Sequence, residues 1–309
     1  MAQPVVARTR RAVVAMKAET TYGTDSLGTV TAADILWAFN IRPTSRIEAI
    51  EMLAQSGFLG RLRSMSGVEV FGLTFDIQVR GAGAAYSASV VPDIHNPLRA
   101  AGMLATLDAT PSAEKYTYTP RSSGFESFTV KVVHENGPTH IGLGCFGNVA
   151  FRGVAGQPGI ASVTLAGILA AEGTLALVTK APTTLQPPVL KSAAFQIDAA
   201  NFAANVQNVA LDLGAAVNVQ EGMNAAGGLA GLFIADRDPG GSFDPEVVAA
   251  ATYDWFTKWK DKPAAVDLGW QWGAAQYNRC KVTMPEITIQ ERAWGERNAM
   301  RAFDVAYKA

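Results

Sequence analysis

The stretch VEVFGLTFDIQVRG, Val68 to Gly81, places Phe71, Leu73, Phe75, Ile77 and Val79 at every second position. Successive side chains of a strand point to opposite faces, so this spacing predicts a long β-strand with one face in a core. Such a strand needs partners on its edges and a layer over its apolar face. The rest of the chain supplies them. ILWAFNIRP, SFTVKVV, THIGLGCFGNVAF and ASVTLAGIL read as strands before residue 170. AFQIDA, VQNVALDL, AVDLGWQWG, NRCKVTMPEITIQE and RAFDVAYKA read as strands after residue 190. Asn136-Gly137 marks a turn between two of the early strands. Two short helices are expected. One is NPLRAAGML, with Asn96 as cap and Pro97 in its first turn. The other starts at Asp244-Pro245 and aligns Val247, Ala251, Trp255 and Trp259 on one side. The fold class is mainly β, with a few short helices.

A chain of 309 residues has room for about two domains and a large core, and needs no disulfide or metal staple. TKAPTTLQPPVL, Thr179 to Leu190, reads as a linker. The expected division is an extended arm over 1–30, a first β domain over 31–178, the linker over 179–190 and a second β domain over 191–309. The two halves share an order: strand, long loop, helix, then a group of three strands, with one further strand before the helix in the first half. AFNIRPTSRIEA lies over ALDLGAAVNVQE, FTVKVVHENG over AVDLGWQWGA, and ASVTLAG over RAFDVAY, with Cys145 and Cys280 in comparable places. This pattern is read as a tandem duplication. Each half has one long connection, EMLAQSGFLGRLRSMSG and EGMNAAGGLAGLFIADRDPGG. Both are too long for a hairpin turn, and both carry apolar side chains that a free loop would not.

The chemistry that could make an enzyme is not visible. GLGCFG, Gly142 to Gly147, satisfies GxGxxG but opens no helix, so its glycines read as easing a bent strand. DRDPGGSFDPE is acidic, yet its spacing fails that of a calcium loop and suits a turn. His95, His134 and His140 lack metal-ligand spacing, although the last two flank a turn and could face each other. Trp255, Trp259, Trp270 and Trp272 read as core, with a carbohydrate-stacking surface as the rival. No catalytic, cofactor or metal residues are assigned, and no cofactor is expected. A net charge of −1 argues against a general nucleic-acid binder. Two cysteines without CxxC suit a reducing cytoplasm. No apolar run approaches membrane-span length.

AMKAETTYGTDSLGTVTAADILWAFNI resembles the N-terminal segment of major tail tube proteins of long-tailed, non-contractile bacteriophages. NPLRAAGM, YTYTP, SFTVKVVHENG, IGLGCFGNVAF and the later SFDPE are similar to that family in order and wording, so the resemblance runs from Val14 to Tyr307. It implies two tandem β-sandwich or barrel domains, each with a flanking helix and a long inter-ring loop. It implies homotrimeric, pseudo-hexameric rings, with a homohexamer as the alternative. The rings would stack into the hollow virion tail tube, assembled in the bacterial host cytoplasm and used to eject DNA. Expected partners are other copies of the chain, the tape measure protein and phage DNA in the lumen, and tail terminator and distal tail proteins at the ends. Leu59, Leu62, Met65, Leu229, Leu232, Phe233 and Ile234 are the expected stacking contacts. Asp76, Asp212, Asp267 and Asp304 are the candidate lumen-facing acids. Another virion subunit, a decoration or terminator protein, and a carbohydrate-binding β-sandwich are the alternatives.

Overall fold

The computed structural model describes residues 8, 10–53, 62–191, 193–198, 200–202, 204–262 and 266–309. The protein is mainly β. Its first elements are β1 (Ala12–Ala18), β2 (Ile35–Leu36), β3 (Ala38–Pro43), β4 (Arg46–Glu51), β5 (Ser64–Gln78) and α1 (His95–Ala100). There follow β6 (Met103–Asp108), β7 (Lys115–Pro120), β8 (Phe128–His134), β9 (Thr139–Val154) and β10 (Ile160–Leu169). The second half has β11 (Gln196–Ile197), β12 (Ala200–Asn201), β13 (Val206–Asp212), β14 (Ala215–Glu221), β15 (Leu229–Arg237) and β16 (Gly240–Pro245). It ends with α2 (Trp255–Asp261), β17 (Val266–Trp272), β18 (Cys280–Arg297) and β19 (Met300–Lys308).

One antiparallel run, β3-β5-β10-β9-β13-β16-β19-β18, crosses the whole molecule. Two of its strands are long enough to serve two layers. The first part of β9 pairs with β8, which pairs with β1, before β9 turns to β10 and β13. The first part of β18 pairs with β17, which pairs with β11, before β18 turns to β19. These side layers cover one face of the central run. Phe71, Leu73, Phe75 and Ile77 of β5 therefore share a core with Phe128, Val130 and Val132 of β8 and with Leu268, Trp270 and Trp272 of β17. The alternation in VEVFGLTFDIQVRG is thus a burial pattern, and each such side chain stabilises the fold by roughly 1.5–3 kcal/mol.

The pairing order of the first half recurs in the second. Leu165 lies between Leu73 and Gly147, as Val305 lies between Phe243 and Arg292. Pro43 faces Leu73 as Val209 faces Phe243. Just past this row the long strand bulges in both halves. The halves join where β13 pairs with β9, from Asn208 opposite Val154 to Asp212 opposite Ala150.

Several local expectations are corrected. The segment read as part of an extended arm contributes β1, whose Val14, Ala15 and Met16 are buried. Asn96 does not cap α1; the N-cap is Ile94, and the Asn96 amide donates to the carbonyl of Met16. The second helix starts ten residues later than Asp244-Pro245 suggests. Asp254 caps it, accepting from the N–H groups of Phe256 and Thr257. Asp244 is instead a strand residue, accepting from the N–H groups of Gln207 and Asn208 on β13 at 2.8 and 2.6 Å. The two cysteines are not counterparts. Cys145 lies inside β9 opposite Phe128, and Cys280 opens β18 opposite Trp272.

Candidate functional site: an open sheet face and two hairpins

Asp76, Ser162, Ala150, Asp212, Gly240 and Lys308 are paired one to the next across β5, β10, β9, β13, β16 and β19. Directly opposed residues of antiparallel strands share a face. This row therefore crosses the face turned away from the core, because its members alternate with the buried Phe75, Ile77, Ala161, Leu211 and Tyr307. Its flanks carry Thr74, Thr164 and Asn148 on one side and Arg152, Ala210 and Ser242 on the other. The face is one of small and polar side chains. Its carboxylates are held in place. Asp76 accepts from the Asn40 amide at 2.8 Å and the Ser162 hydroxyl at 2.6 Å. Asp212 accepts from the Asn148 amide at 2.6 Å and the Gly214 N–H at 2.8 Å. Asp304, between the buried Phe303 and Val305, is on the same face. The structure does not bring Asp267 into this group, for it lies on β17, outside the central run.

Two hairpins extend from the sheet, β4 with the first part of β5, and β14 with β15. The long Gly/Ala connection is therefore largely strand. Leu229, Leu232 and Ile234 are 3%, 5% and 8% exposed and pack with Val70, Phe146 and Ala215 of their own chain. This corrects the expectation that they await another ring: β15 lays its apolar side over the end of the sheet. Phe233, pointing the other way, is left exposed, as are Leu62 and Met65. Leu59 lies outside the described residues. Beside the turns, Leu53 is 92% exposed and Met223 is fully exposed.

The turn after β1 locks the hairpin to the sheet. The Glu19 carboxylate accepts from the N–H groups of Gly23 and Gly144 and from the hydroxyls of Ser127 and Thr129, at 2.7 to 3.0 Å. Gly144 meets it at φ +59°, a left-handed conformation that glycine adopts without a Cβ penalty. The buried Lys131 reaches Asp25 at 2.7 Å. Burial works against the charge on Asp25, but Lys131 and the N–H groups of Leu27 and Gly28 outweigh it and hold the carboxyl below its ordinary value.

A family model described as phage tail tube protein matches residues 9–293. The chain belongs to the phage tail tube protein family. No curated protein matches it. The family makes it a structural component of the virion tail, one that self-assembles into a tube.

In this tail tube protein the other sequence candidates have structural places. His134 and His140 do face each other, 5.5 Å apart and perpendicular, and His140 pairs with Glu172 at 3.0 Å. Trp255, Trp270 and Trp272 are at most 2% exposed, so they offer no sugar-stacking surface; Trp259, read with them as core, is instead 36% exposed. GLGCFG bends β9, and a Cβ at Gly142 would lie 2.4 Å from the Phe71 ring. The segment Asp236–Glu246 spans the end of β15, a turn and β16, where Lys308 pairs with Asp238. Among the described residues no group of three His, Cys, Asp or Glu could hold a metal ion, and no helix is long and apolar enough to cross a membrane. Sequence reasoning missed the roles of Glu19 and Tyr22. Both stand in the motif that carried the resemblance, but their partners lie more than 100 residues away.

Proposed function

We propose that this chain is a tandem tail tube subunit, three copies of which close a ring of six similar half-units. Rings stack into a hollow tube, and the open face of the central sheet lines the lumen. The observation that carries this reading is that face. It runs unbroken through both halves and presents small and polar groups with Asp76, Asp212 and Asp304 among them. DNA has to slide through a tube, and cationic contacts to phosphate would retain it by counterion release. On this face Lys308 is paired with Asp238 and the carboxylates offset Arg152, so DNA is not retained. A six-copy ring is the alternative stoichiometry; the repeated pairing order favours three. The tape measure protein would occupy the same lumen before DNA, and terminator and distal tail proteins would cap the ends, with assembly in the host cytoplasm. A decoration or terminator role has no separate observation in its favour.

Ring stacking is assigned to the hairpins, with a revised set of contacts. Leu53, Met223 and Phe233 are among the apolar side chains the hairpins leave in solvent, with Ile50, Met52, Leu62, Met65 and Val219. Negative-stain electron microscopy of the purified protein at rising concentration tests the reading. Hollow tubes with a regular ring repeat are expected from the wild type, and short rings from the double variant Leu53→Asp/Met223→Asp. Tubes of normal length from the variant overturn the stacking assignment. A wild type that stays monomeric at every concentration overturns the tube reading.

A further inference from the structure

Among the described residues the second half covers the first, and none covers the corresponding edge of the second. Counting from the matched rows, Trp294 on β18 stands where Val149 stands on β9, each two residues past Arg292 or Gly147. Ile47 on β4 likewise stands where Leu213 stands after β13, each four residues past Pro43 or Val209. Val149 and Leu213 are 0% and 7% exposed, belong to the main core, and are joined by a bond from Leu213 N–H to the Val149 carbonyl at 3.1 Å. Trp294 and Ile47 are 62% and 55% exposed. Trp294 nonetheless points to the core side of its strand, its ring tilted at 52° against that of Phe303 with centroids 4.6 Å apart. It stands at a core position, and no described residue covers it.

The strand edges show the same incompleteness. The C-terminal part of β9 takes β10 on one edge and β13 on the other. The matching part of β18 takes β19 on one edge and, among the described residues, no strand on the other. β3, the counterpart of β13, pairs among the described residues with β5 alone. A strand edge left unpaired is an aggregation hazard unless a partner is built for it.

We propose that β3 and the start of β4 of one copy dock on the C-terminal edge of β18 of the next, reproducing between chains the junction that β13 makes with β9 within one. The partner is a second copy of this chain. The contact is head-to-tail, so it does not make a twofold dimer, and it closes into a ring when the rotation per copy closes. Ile47 covers Trp294. The in-chain register transfers directly: Leu211 opposite Phe151 becomes Ser45 opposite Glu296. This deepens the ring reading and rests on it, by naming the edges and the register.

The test is the double variant Ser45→Cys/Glu296→Cys, oxidised after assembly and run without reductant. Directly paired residues have Cα atoms about 4.5–5.5 Å apart, within reach of a disulfide. A ladder ending at three chains is expected, with monomer alone from each single variant, which also controls for Cys145 and Cys280. Tubes without a ladder overturn this junction and leave the tube reading standing. A ladder without tubes supports the junction and overturns the tube reading. Neither ladder nor tubes overturns both. Separately, Trp294 fluorescence in a variant whose other five tryptophans are phenylalanine should lose acrylamide quenching on assembly; unchanged quenching in assembled material overturns the docking.

Discussion

The hydroxyl of Tyr22 accepts a hydrogen bond from the backbone N–H of Leu232 at 2.7 Å, across 210 residues of sequence. Its ring stacks on Phe146 at 6.3 Å, and burial raises its pKa. One side chain of the first half thus fixes the second half's hairpin over the sheet. Tyr22→Phe keeps the ring and removes the acceptor, which costs about 1 kcal/mol, typical of one hydrogen bond. Urea unfolding should show that loss. Hydrogen exchange should speed at the Leu232 amide more than at neighbouring amides of β15, and a uniform change would refute the local role.

Glu19 collects four donors on one carboxylate. Glu19→Gln keeps the shape but replaces one acceptor oxygen with an NH2 that faces donors. The expected loss is about 2–4 kcal/mol, since the bonds to charge are lost and donors are left unpaired. Thermal unfolding measures it. A loss within experimental error would mean the turn is held by Lys131 and Asp25 alone.

These two residues show what the sequence could and could not disclose. Alternation made β5, β8 and β17 legible because burial of one face imposes period two. The start of the second helix is not legible because Asp244 and Asp254 offer the same capping chemistry, and only the pairing of β16 with β13 decides between them. The hairpin leucines read as needing cover, and the cover is Val70 and Phe146 of the same chain. Nothing local in a sequence tells a cis surface from a trans one. The acids on the open face were readable as lying opposite an apolar face. Their grouping depended on strand order, which put Asp76 and Asp212 in one row and left Asp267 out.

His95 sets an acid limit on the fold. It is 8% exposed, with Nδ1 2.8 Å from the Tyr118 hydroxyl. Burial, with Arg99 beside it, lowers its pKa to about 4. The unfolded chain binds this proton near pH 6.5, so between pH 6.5 and 4 it binds more protons than the folded one. Stability is therefore full above that window and falls as pH drops through it, by roughly 2–3 kcal/mol from this group. Urea midpoints measured from pH 7 to 4 should fall, and His95→Gln should flatten that part of the profile. An equally steep profile in the variant would place the acid sensitivity elsewhere.

The last prediction concerns the seam between the halves. Trp272 of β17 is wholly buried against the β9–β10 turn of the first half. A Cβ at Gly159 would lie 2.6 Å from its indole nitrogen, and one at Gly153 would lie 3.1 Å away. Gly159 has no left-handed φ, so alanine there meets only this steric obstacle. Gly159→Ala should therefore destabilise by about 1–3 kcal/mol through overpacking. Trp272→Phe removes bulk and leaves a partial cavity, at a cost of about 1–3 kcal/mol by comparison with larger truncations. Combined, the two changes should cost less than their sum, because the added methyl occupies space the smaller ring vacates. A double-mutant cycle by chemical unfolding reads the coupling, expected at about 0.5–3 kcal/mol for residues in contact. Strict additivity would mean that the seam yields by moving the halves apart rather than by clashing.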